Sequence, residues 1–358
     1  FMRAHSQSHT RPDLLTAPIL PTLKTMTIPM IFGMITLMMF NIVDTFFISL
    51  LGTEPLSAVS FTFPVTFTVI SLAIGLGIGT SAVIAKALGS NNIEEARFDA
   101  SISLLIAVVL VLVLSTCGYL LIDPIFTLLG AGEQVLPLIH EYISIWFLGS
   151  VFLITPMIGN SVLRASGDTK TPSIIMGGAG LINAVLDPVL IFGFGPIPAF
   201  GIKGAAIASV IAWAVAVAII LYLLIAKKRL LSLKAGSQTV IGAIRKILKI
   251  GLPAAGANML TPVAMAVMTA LVAHHGPEAV AAFGVGSRIE SIASLVVLAL
   301  SMTLPPFISQ NFGASHFSRV KDAYLGTLKF VMLWQFVIYI LLIMFSGVIS
   351  EIFGKEQA

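Results

Sequence analysis

The chain has 358 residues, of which 57% are hydrophobic and only 10% charged, with 20 basic against 16 acidic side chains and a net charge of +4. Its apolar residues come in blocks of about 20 to 30, the length an α-helix needs to cross roughly 30 Å of hydrocarbon, which predicts an all-α polytopic membrane protein. A transmembrane barrel is excluded, because it would show segments of about ten residues alternating apolar and polar.

In chain order the predicted spans are 24–51, 57–83, 98–122, 135–163, 172–195, 202–226, 246–273, 279–306 and 322–347. Basic residues, from Arg3 and Lys24 through the Lys227 to Lys249 cluster to Lys329, fall on one side of these spans, whereas the opposite loops hold only Lys203 and Lys355. The positive-inside rule then puts the N-terminus in the cytoplasm. Topology and anionic headgroups account for the basic loops without any nucleic acid. This division gives a cytoplasmic segment 1–23, an N-terminal lobe 24–226 with spans one to six, an inter-lobe loop 227–245, and a C-terminal lobe 246–358 with spans seven to nine.

The chain also repeats itself. At a constant offset of 224 residues Pro29 falls on Pro253, Gly52 on Gly276, Glu54 on Glu278, Ala58 on Ala282 and Gly89 on Gly313. Six spans separate the copies, so both have the same orientation: two parallel bundles related by an axis along the membrane normal, expected to enclose a central cavity. The segment 349–358 resembles 122–135, which leads into the fourth span, so the repeat predicts twelve spans in the whole protein and a chain truncated before the tenth. At the other end, Phe1-Met2 is expected to lie ahead of a natural start.

Few residues could carry chemistry. An ionised side chain at mid-membrane costs at least about 2.5 to 3.5 kcal/mol, so such residues usually face a cavity or a partner. The candidates are Asp44 in the first span, Asp187 in the fifth, and Arg288 with Glu290 in the eighth. At 1.5 Å per residue, Asp44 and Asp187 lie roughly 30 and 24 Å from the inner face. Asn183 precedes Asp187 by one helical turn and shares its face, while Pro188 removes an amide donor beneath the carbonyl of Ala184. This cluster reads as a proton or cation site or as a structural hydrogen-bond knot. Arg288 and Glu290 are two residues apart and do not share a face; they are either structural ion-pairing groups or part of the coupling.

Other patterns have bland readings. AIGLGIGTSA (73–82) lies inside a span with no strand before it, so its glycines serve helix packing rather than a nucleotide. Met34, Met38 and Met39 with Phe40 read as packing residues or as an adaptable cavity wall. His274-His275 lack a third ligand, and the single Cys117 offers neither a disulfide nor a thiolate metal site. No Walker, Ser/His/Asp or Cys/His pattern occurs, so the expectation is a non-enzyme driven by an ion gradient, without a metal or other cofactor.

The loop LRASGDTKTP (163–172), followed by NAVLDPVLIFG (183–193) and FGIKGAAIASVIAW (200–213), resembles the multidrug and toxic compound extrusion (MATE) family, and Asp44 with Asn183 and Asp187 resembles its DinF-like branch. The resemblance covers essentially the whole chain. It implies a twelve-helix transporter of two six-helix lobes in a bacterial or archaeal inner membrane. Such a protein exports amphipathic drugs or toxic organic cations, cationic or zwitterionic, against protons or sodium ions, and underlies drug resistance. Matched residue by residue, it implies that Asp44, Asn183 and Asp187 form the cation cluster. Leu37, Phe40, Asn160 and Met176 would line the substrate cavity, with Ser209 near a position where relatives use threonine. Pro29 and Gly33 would be the hinge of the first helix. The sodium-binding acid of another branch falls on Thr261, and the repeat partner of Asp44 is Met268, so protons are the expected coupling ion and sodium the alternative. A monomer is expected. A lipid-intermediate flippase of a related two-lobed fold remains the other transport reading.

Overall fold

The computed structural model describes residues 14–354 apart from 235 and 237. Arg3, Arg11, Lys355 and the Phe1-Met2 start lie outside the described residues, as does the side chain of Glu278. The described chain is helical: α1 (Ile19–Ser49), α2 (Thr53–Gly89), α3 (Ile93–Leu120), the short α4 (Ile122–Leu128), α5 (Leu136–Ala165), α6 (Lys170–Phe192), α7 (Ile202–Tyr222), α8 (Val240–Ala273), α9 (Pro277–Ala293), α10 (Leu295–Gly313) and α11 (Phe317–Gly354). A π-helical turn, Leu223–Lys227, prolongs α7. Among the described residues, nine of these segments are long and apolar enough to cross a membrane.

Local chemistry sets the helix ends. Asn92 caps α3 by accepting the amide of Glu95 at 3.2 Å, and Thr239 caps α8 by accepting that of Gly242 at 3.0 Å, each satisfying a donor that a helix start leaves free. Gly52 and Gly276 precede α2 and α9 at φ of 119° and 100°, a region that side chains rarely adopt. These two glycines are repeat partners.

The expected span 279–306 lies within the repeat partner of α2, the stretch Pro277–Gly313, which is interrupted at Ser294 and so divides into α9 and α10. The hydroxyls of Ser287 and Ser291 donate back to the carbonyls of Phe283 and Ser287, each at 2.8 Å, and such back-bonding weakens and bends a helix. Of this stretch α10 is by itself long and apolar enough to cross a membrane, and α9, which carries Arg288 and Glu290, leads into it.

The N-terminal lobe has one large core, built from α2, α3, α5 and α7 around Phe98, Phe126, Ile143, Trp146 and Ile158. The two halves meet along α2 and α8, α2 and α10, and α1 and α10. Glycines make this possible, because small residues let helix backbones approach closely. A Cβ on Gly75 would strike Ala255, and one on Gly79 would lie 2.9 Å from the amide nitrogen of Gly251. Gly77 of the same run faces Ser161 of α5, so the packing expected of AIGLGIGTSA is what the structure contains. Across the α1 and α10 contact, Thr27 and Thr303 hydroxyls share a buried hydrogen bond of 2.9 Å, and Met30 and Met34 pack on Ala299. All these contacts lie toward the end that carries the basic loops. Toward the other end of α8, Leu260, Val263 and Val267 are exposed.

Candidate functional site

The candidate site is built on α1 and α6, which run in the same direction with a regular register. Gly33 stands against Ser173, where an added Cβ would lie 3.2 Å from the serine Cα and Cβ, and Thr36 stands against Gly177. One turn further, the Phe40 ring fills the space beside Gly180 so closely that a Cβ there would overlap its carbons. The next pair in this ladder is Asp44 and Asp187, whose carboxyl groups come within hydrogen-bonding reach of each other. Asp187 is buried. A larger residue at position 180 would have to displace the Phe40 ring, which packs α1 on α6 one turn before Asp44.

Asn183 joins this pair to α7. Its Nδ2 donates to Asp187 Oδ1 at 3.4 Å and to Ser209 Oγ at 3.2 Å. Gly204 lets α7 come this near, since a Cβ there would run into the carbonyl of Leu190. The expected change at the Ser209 position thus leaves a hydrogen-bond acceptor in place. One oxygen of each acid, Asp44 Oδ1 and Asp187 Oδ2, is buried without a hydrogen-bond partner. Two ionised carboxylates are acceptors only, and a buried polar atom without a partner is uncommon enough to need a reason. A single proton shared between them would supply the missing donor.

α6 continues through Pro188 to Phe192, and Gly193, at φ of 80°, ends it. The proline therefore loosens the ladder at Ala184 without breaking the helix. α1 likewise continues through Pro29 as one helix. Gly33, expected as a hinge, is in this state a close contact to α6.

The other expected residues are distributed unevenly. Leu37 is exposed, and Phe40 and Met176 are half-buried, on the same two helices as the acids. Asn160 is buried in α5 with its Oδ1 unpartnered. Arg288 and Glu290 are both exposed on α9 and form no ion pair with each other. Two cavities, of about 340 and 330 Å³, lie away from the acid pair, the larger against Asp123, Glu133 and His140 and the smaller against Ser57, Ser60 and Leu129.

Two groups escaped the sequence reading. Tyr142 of α5 lies within electrostatic range of both Asp44 and Asp187, and its position in the fourth span gave no hint of that neighbourhood. Asp99 was missed because the third span was expected to start at residue 98. The helix starts at Ile93, and Asp99 is fully buried in it. The capping pattern Asn92 to Glu95 was the signal for the earlier start.

A loop of charge tethers the basic end of this lobe. Lys228 Nζ lies 2.6 Å from Asp168 Oδ2, which also accepts from the Thr171 hydroxyl at 2.8 Å, while Asp168 Oδ1 accepts from the Thr171 amide at 3.1 Å. Burial by itself would raise the Asp168 carboxyl; the Lys228 hydrogen bond, both Thr171 bonds and the Lys228 charge outweigh it and hold the group below its ordinary value.

Helices packed through glycines into two repeat-related halves, with a pair of acids between two of them, fit a polytopic secondary transporter. The MatE family model matches residues 29–189 and 253–358, and the chain belongs to this family of multidrug and toxic compound extrusion transporters. It is 45% identical to a protein named FAD transporter from Shewanella oneidensis over 97% of this chain and 77% of that one. It is 29% identical to the probable multidrug resistance protein YoeA of Bacillus subtilis over 86% of this chain and 67% of that one. Among solved structures, a mutant of the Vibrio cholerae MATE transporter VcmN superposes with a TM-score of 0.89 at 34% identity, covering 94% of this chain and 76% of that one.

Proposed function

We propose that the protein exports an amphipathic organic solute from the cytoplasm across a bacterial or archaeal inner membrane in exchange for protons, by alternating access of its two lobes. One observation carries the coupling: Asp44 and Asp187 face each other, each with a buried oxygen that no donor satisfies. In the outward-open state one proton bridges them or neutralises Asp187, the bond from Asn183 rearranges, and the register of α1 on α6 between Gly33 and Asp44 shifts, releasing solute. Leu37, Phe40, Met176, Asn160 and Ser209 are the side chains through which solute and acids would communicate. A pH difference of one unit supplies about 1.4 kcal/mol per proton, and each charge moved through 100 mV about 2.3 kcal/mol, so one or two protons suffice for modest gradients. Sodium coupling is disfavoured by Thr261 and Met268 in the second half. A monomer without a cofactor would suffice.

The substrate class has two readings. Acids in the site favour organic cations and zwitterions, which would compete with protons. The 45% identity to a protein named FAD transporter favours a second reading, a flavin dinucleotide, whose planar ring suits the apolar wall and whose pyrophosphate is anionic. Linkage separates them by sign. A cation and a proton each weaken the other's binding, whereas neutralising the acids removes repulsion from an anion. Proteoliposomes holding the full-length protein, loaded with ethidium or with FAD under an imposed pH gradient, test both. Proton flux driven by neither solute would overturn the exporter reading.

A further inference from the structure

At the basic end the lobes are held by two clasps that the 224-residue offset converts into each other. In the first, Lys246 of α8 reaches Glu95 of α3 at 2.5 Å, Asp99 at 3.6 Å and the Gln238 amide oxygen at 2.8 Å. In the second, Arg319 at the start of α11 donates from Nη2 to the carbonyls of Leu14 at 3.1 Å and Ala17 at 2.7 Å, and from Nε to Asn311 Oδ1 at 2.9 Å. Asn311 also donates to the Leu14 carbonyl at 2.9 Å, and the guanidinium stands 5.7 Å over the Phe307 ring. Glu95 and Arg319 are partners in the repeat, and so are Gln238 and Leu14. The third helix of each half thus grips the base of the first helix of the other half. The architecture is symmetric although the chemistry is not: one clasp is a carboxylate on an ammonium, the other a guanidinium on backbone carbonyls.

We propose that Glu95 with Lys246, and Arg319 with the carbonyls of Leu14 and Ala17, are the paired inner gate that holds the lobes shut on the cytoplasmic side and must open in each cycle. This rests on the alternating-access reading above. The first clasp is set to be all-or-none, because Asp99 is fully buried, neither of its oxygens accepts a hydrogen bond, and Lys246 is its one cationic partner among the described residues. Removing the ammonium would leave that charge uncompensated, so the lobes lose their contact as a unit rather than loosening gradually. The second clasp spans chain segments that are almost the full length apart and holds α1 at its foot, below Pro29. Any bending of α1 near Pro29 and Gly33 is then resisted by an anchored base.

The test measures lobe separation directly. Spin labels on Lys170→Cys and Lys321→Cys, exposed at the starts of α6 and α11, are placed in the full-length protein with Cys117→Ala, and the distance distribution is recorded in nanodiscs without substrate or gradient. Glu95→Gln and Arg319→Gln are each expected to shift population from the short to the long separation. Lys246→Arg, which keeps a cation against both Glu95 and Asp99, is expected to keep the short one. Arg319→Gln could disturb folding of the N-terminal segment; Glu95→Gln, nearly isosteric, and the Lys246→Arg control then carry the test. Unchanged distributions in monodisperse protein, or a Lys246→Arg variant that behaves like Glu95→Gln, overturn the gate. Variants that show the distance response, together with a wild type that drives no proton flux with any solute, would instead overturn the transport reading and leave the clasps standing.

Discussion

Gly89 of α2 and Gly313 of α10 cross each other's helices reciprocally: a Cβ on Gly89 would strike the carbonyl of Gln310, and one on Gly313 the carbonyl of Lys86. Both pairs are related by the same offset of 224 residues, so the repeat seen in the chain is a physical two-fold at the lobe junction. Backbone, not a flexible side chain, blocks each position. Gly89→Ala and Gly313→Ala are each expected to force the lobes apart at the basic end and to cost about 1–3 kcal/mol, as overpacking does. Thermal unfolding in detergent measures the cost, and the double substitution should add little if the first has already opened the crossing.

Asp187→Asn and Asp44→Asn are each expected to abolish coupled export, because either change leaves the pair unable to bind and release its proton. Glu290→Gln, an exposed position on α9, should weaken export less. Flux in everted vesicles checks this. If Asp187→Asn moves solute up a gradient with the wild-type pH dependence, the cluster is a structural knot.

The pH dependence of binding carries the substrate's sign. A cationic drug should bind more weakly as pH falls from about 8 to 5, because protons compete for the same carboxylates. A flavin dinucleotide should bind equally well or more tightly over that range. Equilibrium binding to the detergent-solubilised protein at a series of pH values decides between them.

On the proposed proton coupling, transport should persist when choline replaces sodium at fixed pH and membrane potential, the repeat partner of Asp44 being Met268 and not an acid. Loss of flux in choline with rescue by millimolar sodium would reverse the assignment of the coupling ion.

The Asp168 and Lys228 tether stabilises the basic end of the first lobe through an ionised carboxylate. Its carboxyl is held below the ordinary value in the folded state, so the contribution is complete above the ordinary carboxylate range and fades as pH falls through the lowered value. Lys228→Gln is expected to cost about 1.5–3 kcal/mol at neutral pH, the usual worth of a hydrogen bond to a charged group, and nothing in strong acid. Amide exchange in residues 163–173 at the two pH values reports the difference.

The chain by itself determined the membrane, the helices and the repeat. Apolar runs as long as 98–122 admit one reading, because in hydrocarbon every backbone group must be satisfied within its own helix, and a fixed offset such as Gly52 to Gly276 is visible without coordinates. Asp187 and Asn183 were legible too, since one helical turn puts them on one face. Only the tertiary structure decided what depends on distance between helices. It brought Asp44 to Asp187, packed Phe40 into the space left at Gly180, placed Tyr142 within electrostatic range of both acids, interrupted Pro277–Gly313 at Ser294, and buried Asp99 near Lys246. Periodicity reports which face a residue occupies on its own helix, but not which helix lies opposite. That is settled by the register of backbones packed through small residues, a property of pairs of segments far apart in the chain.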